Sequence, residues 1–95
     1  MKIWLISQHV NTGYDTYDSM IVVAPTKEEA LIIDPSGYRE WDHKKKTWLF
    51  IRDDGTKREC NHSGWANVDD LNCTLIGEVA PGIKQGLITA SFNAG

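Results

Sequence analysis

One stretch, Met20-Ile21-Val22-Val23-Ala24-Pro25-Thr26-Lys27-Glu28-Glu29, predicts a strand that runs directly into a helix. The apolar run at its start is rich in β-branched side chains, which favour the pleated surface of a sheet. Thr26 then takes the N-cap position, with Glu29 at the spacing of a capping box. Pro35 cannot continue a helix, so we expect the helix to end near Ile33 or Asp34.

Further strands are predicted on both sides of this stretch. The apolar run 3–6 predicts a central strand, joined to 20–24 by a hairpin that closes near 11–13, where Asn and Gly tolerate positive φ. Later strands are expected at 47–51, 56–60, 73–79 and 87–92. Asp54-Gly55 is a turn signal between the first two of these. Trp4 and Phe50 lie inside apolar runs and are predicted to be core residues.

The chain of 95 residues is expected to form a single domain, 1–95, because it is too short for a second core. The predicted fold class is α+β, with a single twisted, mostly antiparallel β-sheet and one short α-helix on one face. That helix cannot cover both faces. The other face is expected to be polar, or covered by the polar insertion 36–46 or by a partner, for which a homodimer is the commonest arrangement.

Composition excludes several classes of protein. The net charge of −3 lacks the basic footprint of a general nucleic-acid binder. No apolar run reaches the roughly 18 residues of a membrane-spanning helix, and no signal peptide is evident at the start. We therefore expect a protein of the cytoplasm that does not associate with membranes, with Cys60 and Cys73 as free thiols.

No catalytic or metal-binding pattern emerges from the spacing of reactive side chains. Cys60, His62 and Cys73 could ligate a metal, but a structural zinc site normally has four closely specified ligands. The pairs Ser7 with His9 and Cys60 with His62 lack the glycine-rich elbow that follows a strand in hydrolases. Phosphate-binding glycine loops are also missing from the sequence. The sequence thus predicts neither an enzyme nor a cofactor or metal site.

The segment 13–19 carries the side chains best suited to recognition. Tyr14, Asp15, Tyr17 and Asp18 lie together in a predicted hairpin connection, and loops on a rigid scaffold often carry binding residues. Other acidic pairs have structural explanations, because Asp54 precedes a turn glycine and Asp69-Asp70 can cap a short helical turn. These four residues are therefore predicted to bind a partner, although tyrosines that pack on their own hairpin are the alternative.

Trp41 and Trp65 are predicted as second anchors for the partner. Both lie in polar segments, and exposed tryptophans often supply much of the contact energy at interfaces. The alternative is that the two indoles fold back over the open face of the sheet.

Both ends of the chain resemble a group of small phage and prophage proteins. The resemblance is carried by Lys2-Ile3-Trp4-Leu5-Ile6-Ser7-Gln8, by 13–19, and by Val22-Val23-Ala24 leading into Glu28-Glu29-Ala30. It continues in Leu75-Ile76-Gly77-Glu78-Val79-Ala80 and Ala90-Ser91-Phe92-Asn93-Ala94-Gly95. The middle, 38–72, does not share it, and the group lends no catalytic residues.

The resemblance implies a phage accessory protein, and such proteins often inhibit bacterial defence by stoichiometric binding, as anti-CRISPR proteins do. The expected partner is a host defence protein, with the tyrosines and tryptophans as contact area and the aspartates pairing with Arg or Lys. A first alternative is a sponge for a cyclic nucleotide or ADP-ribose-type signal, in which His9, Asn11, Arg39, Arg52 or Arg58 meets phosphates. A second is a small enzyme whose site is assembled from distant residues and is not visible in the sequence, for which loss of turnover on mutation of His9 or His62 would be the sign.

Overall fold

The computed structural model describes residues 1–10, 16–59 and 64–93, which form a mostly antiparallel β structure with one short helix. The elements in chain order are β1 (Lys2–Ser7), β2 (Thr16–Ala24), α1 (Lys27–Leu31), β3 (Arg39–Asp42), β4 (Thr47–Ile51), β5 (Lys57–Glu59), a 3-10 turn (Val68–Asp70), β6 (Asn72–Glu78) and β7 (Gly86–Asn93). The α+β class is as predicted. Within these residues no helix has the length and apolar character needed to cross a membrane.

The strands form two sheets, which corrects the prediction of a single one. A larger sheet has the order β6-β1-β2-β7, and a smaller sheet has the order β3-β4-β5. Since β6 pairs with β1 and β7 pairs with β2, the two C-terminal strands occupy both edges of the β1–β2 hairpin. The chain between α1 and the 3-10 turn therefore pairs with itself as a separate meander, as sequential strands usually do.

The smaller sheet contains a strand that the sequence did not predict. β3 lies inside the polar segment 36–46, because it pairs with β4 along Arg39–Phe50, Glu40–Leu49, Trp41–Trp48 and Asp42–Thr47. The hairpin between them is held by the Asp42 carboxylate, which accepts from the backbone N–H groups of Lys44 and Lys45 at 2.9 and 3.1 Å. The polar composition of this segment thus reflects a short strand with one exposed side and a turn.

Helix α1 begins as the capping pattern predicts. The Thr26 hydroxyl accepts from the backbone N–H of Glu29 at 3.2 Å, and Ala30 is buried against the larger sheet. The helix ends at Leu31, somewhat before the predicted Ile33 or Asp34. Such a short helix has few hydrogen bonds of its own, so the packing of Ala30 is what stabilises it.

The core lies between one face of the larger sheet and the layer formed by α1 and the smaller sheet. Its buried residues alternate along β1 and β2 and are joined by side chains from the other layer: Trp4, Ile6, Met20, Val22, Ala24, Ala30, Trp48 and Trp65. Two indoles are also hydrogen bonded, with Trp4 Nε1 donating to the Ala24 carbonyl at 3.1 Å and Trp48 Nε1 to the Ala66 carbonyl at 2.9 Å. The predicted burial of Trp4 is confirmed.

Among the described residues, the opposite face of the larger sheet is open around Leu5 and Thr89, whereas Val23 on the same face is buried. The 36–46 segment does not cover it, since Trp41 packs on the same core as the helix. A shallow depression on this face is lined by residues of the three strands β1, β2 and β7, among them Leu5, Ser19, Ile21 and Thr89. The mixture of hydroxyl and aliphatic side chains there makes the face only partly polar.

Candidate functional site: an aromatic cleft between the sheets

The predicted recognition segment is only partly described. Tyr14 and Asp15 lie outside the described residues, whereas Tyr17 and Asp18 belong to β2. Asp18 is exposed at a register shift, where Tyr17 faces Phe92 and Ser19 faces Ser91 across the β2–β7 pair. Asp18 is therefore the extra residue of a β-bulge, a device that re-aims neighbouring side chains.

The bulge brings the Tyr17 ring onto the core side of the sheet. Met20 pairs with Ala90 and packs in the core, and Phe92 lies on the same side of β7 as Ala90. The Tyr17 and Phe92 rings meet with centroids 4.7 Å apart and planes inclined at 46°. Tyr17 thus packs against the core while one side of the ring pair faces the gap between the sheets.

A buried amide fixes the backbone of Tyr17. Gln8 Nε2 donates to the Tyr17 carbonyl at 2.8 Å, and the Gln8 backbone N–H donates to the Asp18 carbonyl at 3.1 Å. On its other side, Tyr17 donates its own backbone N–H to the Gly64 carbonyl at 2.8 Å. These bonds tie β1, β2 and the segment before the 3-10 turn together. The Tyr17 ring therefore sits on a rigid support.

A second aromatic pair faces Tyr17 and Phe92 from the smaller sheet. Tyr38 precedes β3 and is 67% exposed, while Phe50 lies in β4 and is 44% exposed. Phe50 was predicted to be core. It lies on the same side of β4 as the buried Trp48, but two residues further along, where the core ends and the gap between the sheets begins.

Two adjoining cavities lie beside these aromatic rings. The first, of about 300 Å³, is the aromatic cleft, lined by Tyr17, Ser36, Tyr38, Arg39, Phe50, Gly64 and Phe92. The second, of about 540 Å³, is the turn pocket, lined by Tyr38, Phe50, Ile51, Arg52, Asp53 and Asp54. Tyr38 and Phe50 line both cavities and form the wall they share. A ligand that contacts either cavity therefore meets these two rings.

The Asp34 carboxylate organises the loop that carries Tyr38. Its Oδ2 accepts from the Ser36 hydroxyl and from the backbone N–H groups of Tyr38 and Arg39, at 3.1 and 3.0 Å for the latter two. Its Oδ1 lies 3.3 Å from Arg39 Nε, and both side chains are buried. Because the Arg39 guanidinium is paired inside the protein, it is poorly placed to bind an anion in the cleft.

The turn pocket is acidic at its rim. The Asp54 carboxylate accepts from the Thr56 hydroxyl at 2.6 Å and from the Thr56 backbone N–H at 2.9 Å, which lowers the pKa of Asp54 below its ordinary value. Gly55 adopts φ +86°, as the predicted Asp54-Gly55 turn requires. Asp54 is therefore ionised at neutral pH, beside the exposed side chains of Asp53 and Arg52.

Trp65 is not a surface anchor. Its side chain is only 1% exposed and belongs to the core on the helix side of the larger sheet, so the indole is neither an exposed anchor nor a cover over the open face. The neighbouring Gly64 and Asn67 gave the segment a polar appearance. A single large ring can nevertheless reach the core from such a segment, because burial depends on packing across the fold.

Trp41 is half-buried and lies away from the aromatic cleft. Its ring packs edge-on against Trp48, with centroids 5.2 Å apart and planes inclined at 68°. The indole lines a separate cavity of about 250 Å³, together with residues of α1, the β3–β4 hairpin and the 3-10 turn, among them Glu28, His43 and Asp69. The structure therefore does not bring Trp41 together with Tyr17.

Cys73 is the one proposed metal ligand that falls within the described residues; Cys60 and His62 lie outside them. In the ranges 1–10, 16–59 and 64–93, no cluster of three or more His, Cys, Asp or Glu side chains could hold a metal ion. Cys73 is a half-buried free thiol on the core side of β6. Burial, with a further contribution from Glu28, raises the pKa of this thiol against the opposing effect of Lys27.

No family model, curated protein or solved structure matches this chain. The candidate site therefore rests on geometry. Of the residues predicted to bind, the structure places Tyr17 in the cleft. Tyr38, Phe50 and Phe92 were missed as site residues, and the polar surroundings of Tyr38 were the one sequence signal that favoured it.

Proposed function

We propose that this protein is a non-catalytic phage or prophage accessory protein that inhibits a bacterial defence protein by stoichiometric binding in the host cytoplasm. The aromatic cleft and the turn pocket form its contact surface. The observation that carries this proposal is the exposure of Tyr38, in the loop held by Asp34, and of Phe50, in β4, at the wall between the two cavities. Rings of this kind give large contact area at low entropic cost. The resemblance to phage proteins supplies the biological setting.

Charge favours a protein partner over a nucleotide signal. The turn pocket has the carboxylates of Asp53 and Asp54 beside a single cation, Arg52. In the aromatic cleft, the cation Arg39 is paired with Asp34. Phosphate groups would be repelled by the two carboxylates. A protein surface that presents an apolar side chain beside Lys or Arg fits both the rings and the acidic rim.

The partner's basic residue pairs with Asp54 in this proposal. Asp54 is held in place by Thr56 and ionised at neutral pH, so it can attract a cation without rearranging the turn. Such a rim charge mainly sets orientation and the rate of association, whereas the desolvated rings contribute most of the affinity. Tyr38 and Phe50 are therefore the residues whose loss matters most.

A plaque assay identifies the target and tests the biological role. Bacterial strains that each carry one defence system, CRISPR–Cas systems included, are infected with a phage that the system restricts. Expression of the protein is expected to restore plaque formation on one of them. The purified effector of that system is then titrated with the protein, and its activity is expected to fall linearly to an end point at a fixed molar ratio. No rescue across the panel, or effector inactivation at catalytic amounts of the protein, argues against the proposal.

Variants connect that inhibition to the site. Phe50→Ala and Tyr38→Ala are expected to weaken inhibition by about tenfold or more, as loss of a contact hot spot does. Ile83→Ala is a matched control, since this exposed side chain lies in the connection between β6 and β7 and lines neither cavity. Equal inhibition by all three variants would remove the cleft from the proposal.

A thermal-shift screen tests the alternative in which the protein sequesters a nucleotide signal instead of binding a defence protein. Cyclic nucleotides and ADP-ribose are added to the purified protein, and a ligand that binds the native state raises its melting temperature. We expect no shift. A shift that disappears in Phe50→Ala would favour a nucleotide sponge with a base stacked on the ring.

A further inference from the structure

The β7 strand forms a free edge of the larger sheet. The strand order is β6-β1-β2-β7, and among the described residues β7 pairs only with β2. The outer edge of Gly86–Asn93 therefore presents backbone N–H and C=O groups with no strand opposite them in this part of the chain. Such an edge is a template for another strand.

The composition of β7 does not protect this edge. Natural edge strands are usually shielded by Lys, Pro, inward-pointing charges or β-bulges; Gly86–Asn93 contains no charged residue and no proline, and its one bulge lies at Ile88. Its exposed large side chains are Leu87, Ile88 and Phe92. An apolar, uncharged edge of this length is typical of a strand that pairs with another chain.

The absence of charge favours a second copy of this chain as the partner. In a two-fold symmetric antiparallel pair, a residue at the axis faces its own copy, so a charge in the middle of the strand would meet a like charge. A neutral strand avoids this repulsion entirely. A foreign strand chosen by electrostatic complementarity would need charges on β7 to select it.

We propose that β7 pairs antiparallel with β7 of a second copy, which joins the two larger sheets into one continuous sheet. The pairing lays the first residues of one strand beside the last residues of the other. Leu87 of one copy then lies near Phe92 of the second, which lines the aromatic cleft. The dimer thereby extends the wall of each cleft with a residue from the other copy.

The oligomeric state of the purified full chain tests this proposal without reference to the partner of the cleft. Multi-angle light scattering after size exclusion, over a range of concentrations, is expected to show a dimer. A monomer at the highest concentrations would overturn the proposal. So would an open-ended series of larger species, since pairing of β6 with β7 of another copy does not close on itself.

Two isoleucines form a matched pair of variants. Ile88 in β7 and Ile76 in β6 are 55% and 50% exposed. Each is the residue skipped at a register shift on an edge strand. Ile88→Lys is expected to weaken dimerisation by about tenfold, because it adds a like charge on each copy at the pairing edge. Ile76→Lys is expected to leave the dimer intact, and its dissociation would overturn the assignment to β7.

Folding of both variants is checked by circular dichroism and melting temperature. A measurement on the unaltered chain keeps the proposal testable if Ile88→Lys does not fold. Hydrogen exchange of backbone amides in 86–93 is expected to slow as protein concentration rises, while exchange in β6 stays constant. Concentration-independent exchange in β7 would contradict the proposed pairing. Because the assay contains no partner protein, it fails or succeeds independently of the proposed inhibition.

Discussion

The Asp34 carboxylate holds Arg39 at two points, accepting from its backbone N–H at 3.0 Å and lying 3.3 Å from its Nε. The same carboxylate accepts from the backbone N–H of Tyr38 at 3.1 Å. One buried group therefore fixes both the inner wall and the exposed ring of the aromatic cleft. The stability of the loop and the geometry of the candidate site depend on the same few bonds.

Replacement of Asp34 tests this relationship. Asp34→Asn removes the charge that pairs with buried Arg39 and turns an amide N–H₂ toward groups that are themselves donors. We expect a loss of about 3 kcal/mol in the free energy of unfolding, since breaking a buried ion pair leaves an uncompensated charge. Urea unfolding followed by circular dichroism measures this. Asp53→Asn is the matched control, and we expect it to change stability by less than about 0.5 kcal/mol because Asp53 is exposed.

A similar loss in both variants would mean that charge in general, rather than the Asp34–Arg39 pair, accounts for the effect. Asp34→Asn is also expected to weaken inhibition of the partner beyond what reduced stability explains, since Tyr38 loses its support. The loss of inhibition is measured at a temperature where Asp34→Asn and Asp53→Asn both remain folded.

Trp41 and Trp65, which the sequence predicted as similar anchors, should differ in how much their replacement lowers the free energy of unfolding. Trp65→Ala is expected to cost about 3–5 kcal/mol because it empties a fully buried site. Trp41→Ala is expected to cost clearly less, as its half-buried ring keeps one side open to a cavity. Urea midpoints compare the two, with Trp65→Phe as a milder variant if the alanine variant does not fold. Equal costs would contradict the different burial of the two rings.

These tryptophans also show what the sequence could and could not predict. The strands β1, β2, β6 and β7, the Thr26 cap and the Asp54-Gly55 turn were predictable, because each depends on residues close together in the chain. The division into two sheets could not be predicted. It depends on the pairing of β6 with β1 and of β7 with β2, which are far apart in the chain. The burial of Trp65 likewise depends on its place in one core cluster with residues of β1 and β2, which local composition does not encode.

The candidate site, too, could be predicted from the sequence only in part. Tyr17 was predicted from its unusual segment, but its direction is set by the bulge at Asp18, which depends on pairing with β7. Phe50 lies in an apolar run, and an apolar run alone does not reveal where the core ends. The cleft is therefore a property of how the two sheets meet.

The contact between Tyr17 and Phe92 can be measured by a double-mutant cycle. Tyr17→Ala, Phe92→Ala and the double variant are expected to show a coupling free energy of about 0.5–1 kcal/mol, the low end for an aromatic pair because Phe92 is exposed. Chemical denaturation supplies the four stabilities. Ile76→Ala combined with Tyr17→Ala is the control, and the two effects are expected to add because Ile76 lies on the opposite edge strand. Coupling within error of zero for Tyr17 and Phe92 would remove the ring pair as a stabilising contact.

The Cys73 thiol should react slowly in the folded protein. Half-burial raises its pKa, so at pH 8 a smaller fraction is thiolate, which is the reactive form. In a Cys60→Ser background, iodoacetamide is expected to alkylate Cys73 several-fold more slowly in the native protein than in denaturant. The midpoint of the rate against pH is expected to move upward on folding. A native rate equal to the denatured rate would contradict the raised pKa.

The same shift predicts how stability depends on pH. The unfolded thiol ionises first as pH rises, because its pKa has the ordinary value and the folded pKa is higher. The contribution of Cys73 to stability is therefore fully present below the unfolded pKa and is lost as pH rises through the folded pKa. Urea unfolding at a series of alkaline pH values, compared with Cys73→Ala in the same background, isolates this contribution from that of tyrosines and lysines. Identical pH dependence of the two proteins would show that the environment of Cys73 does not oppose its ionisation.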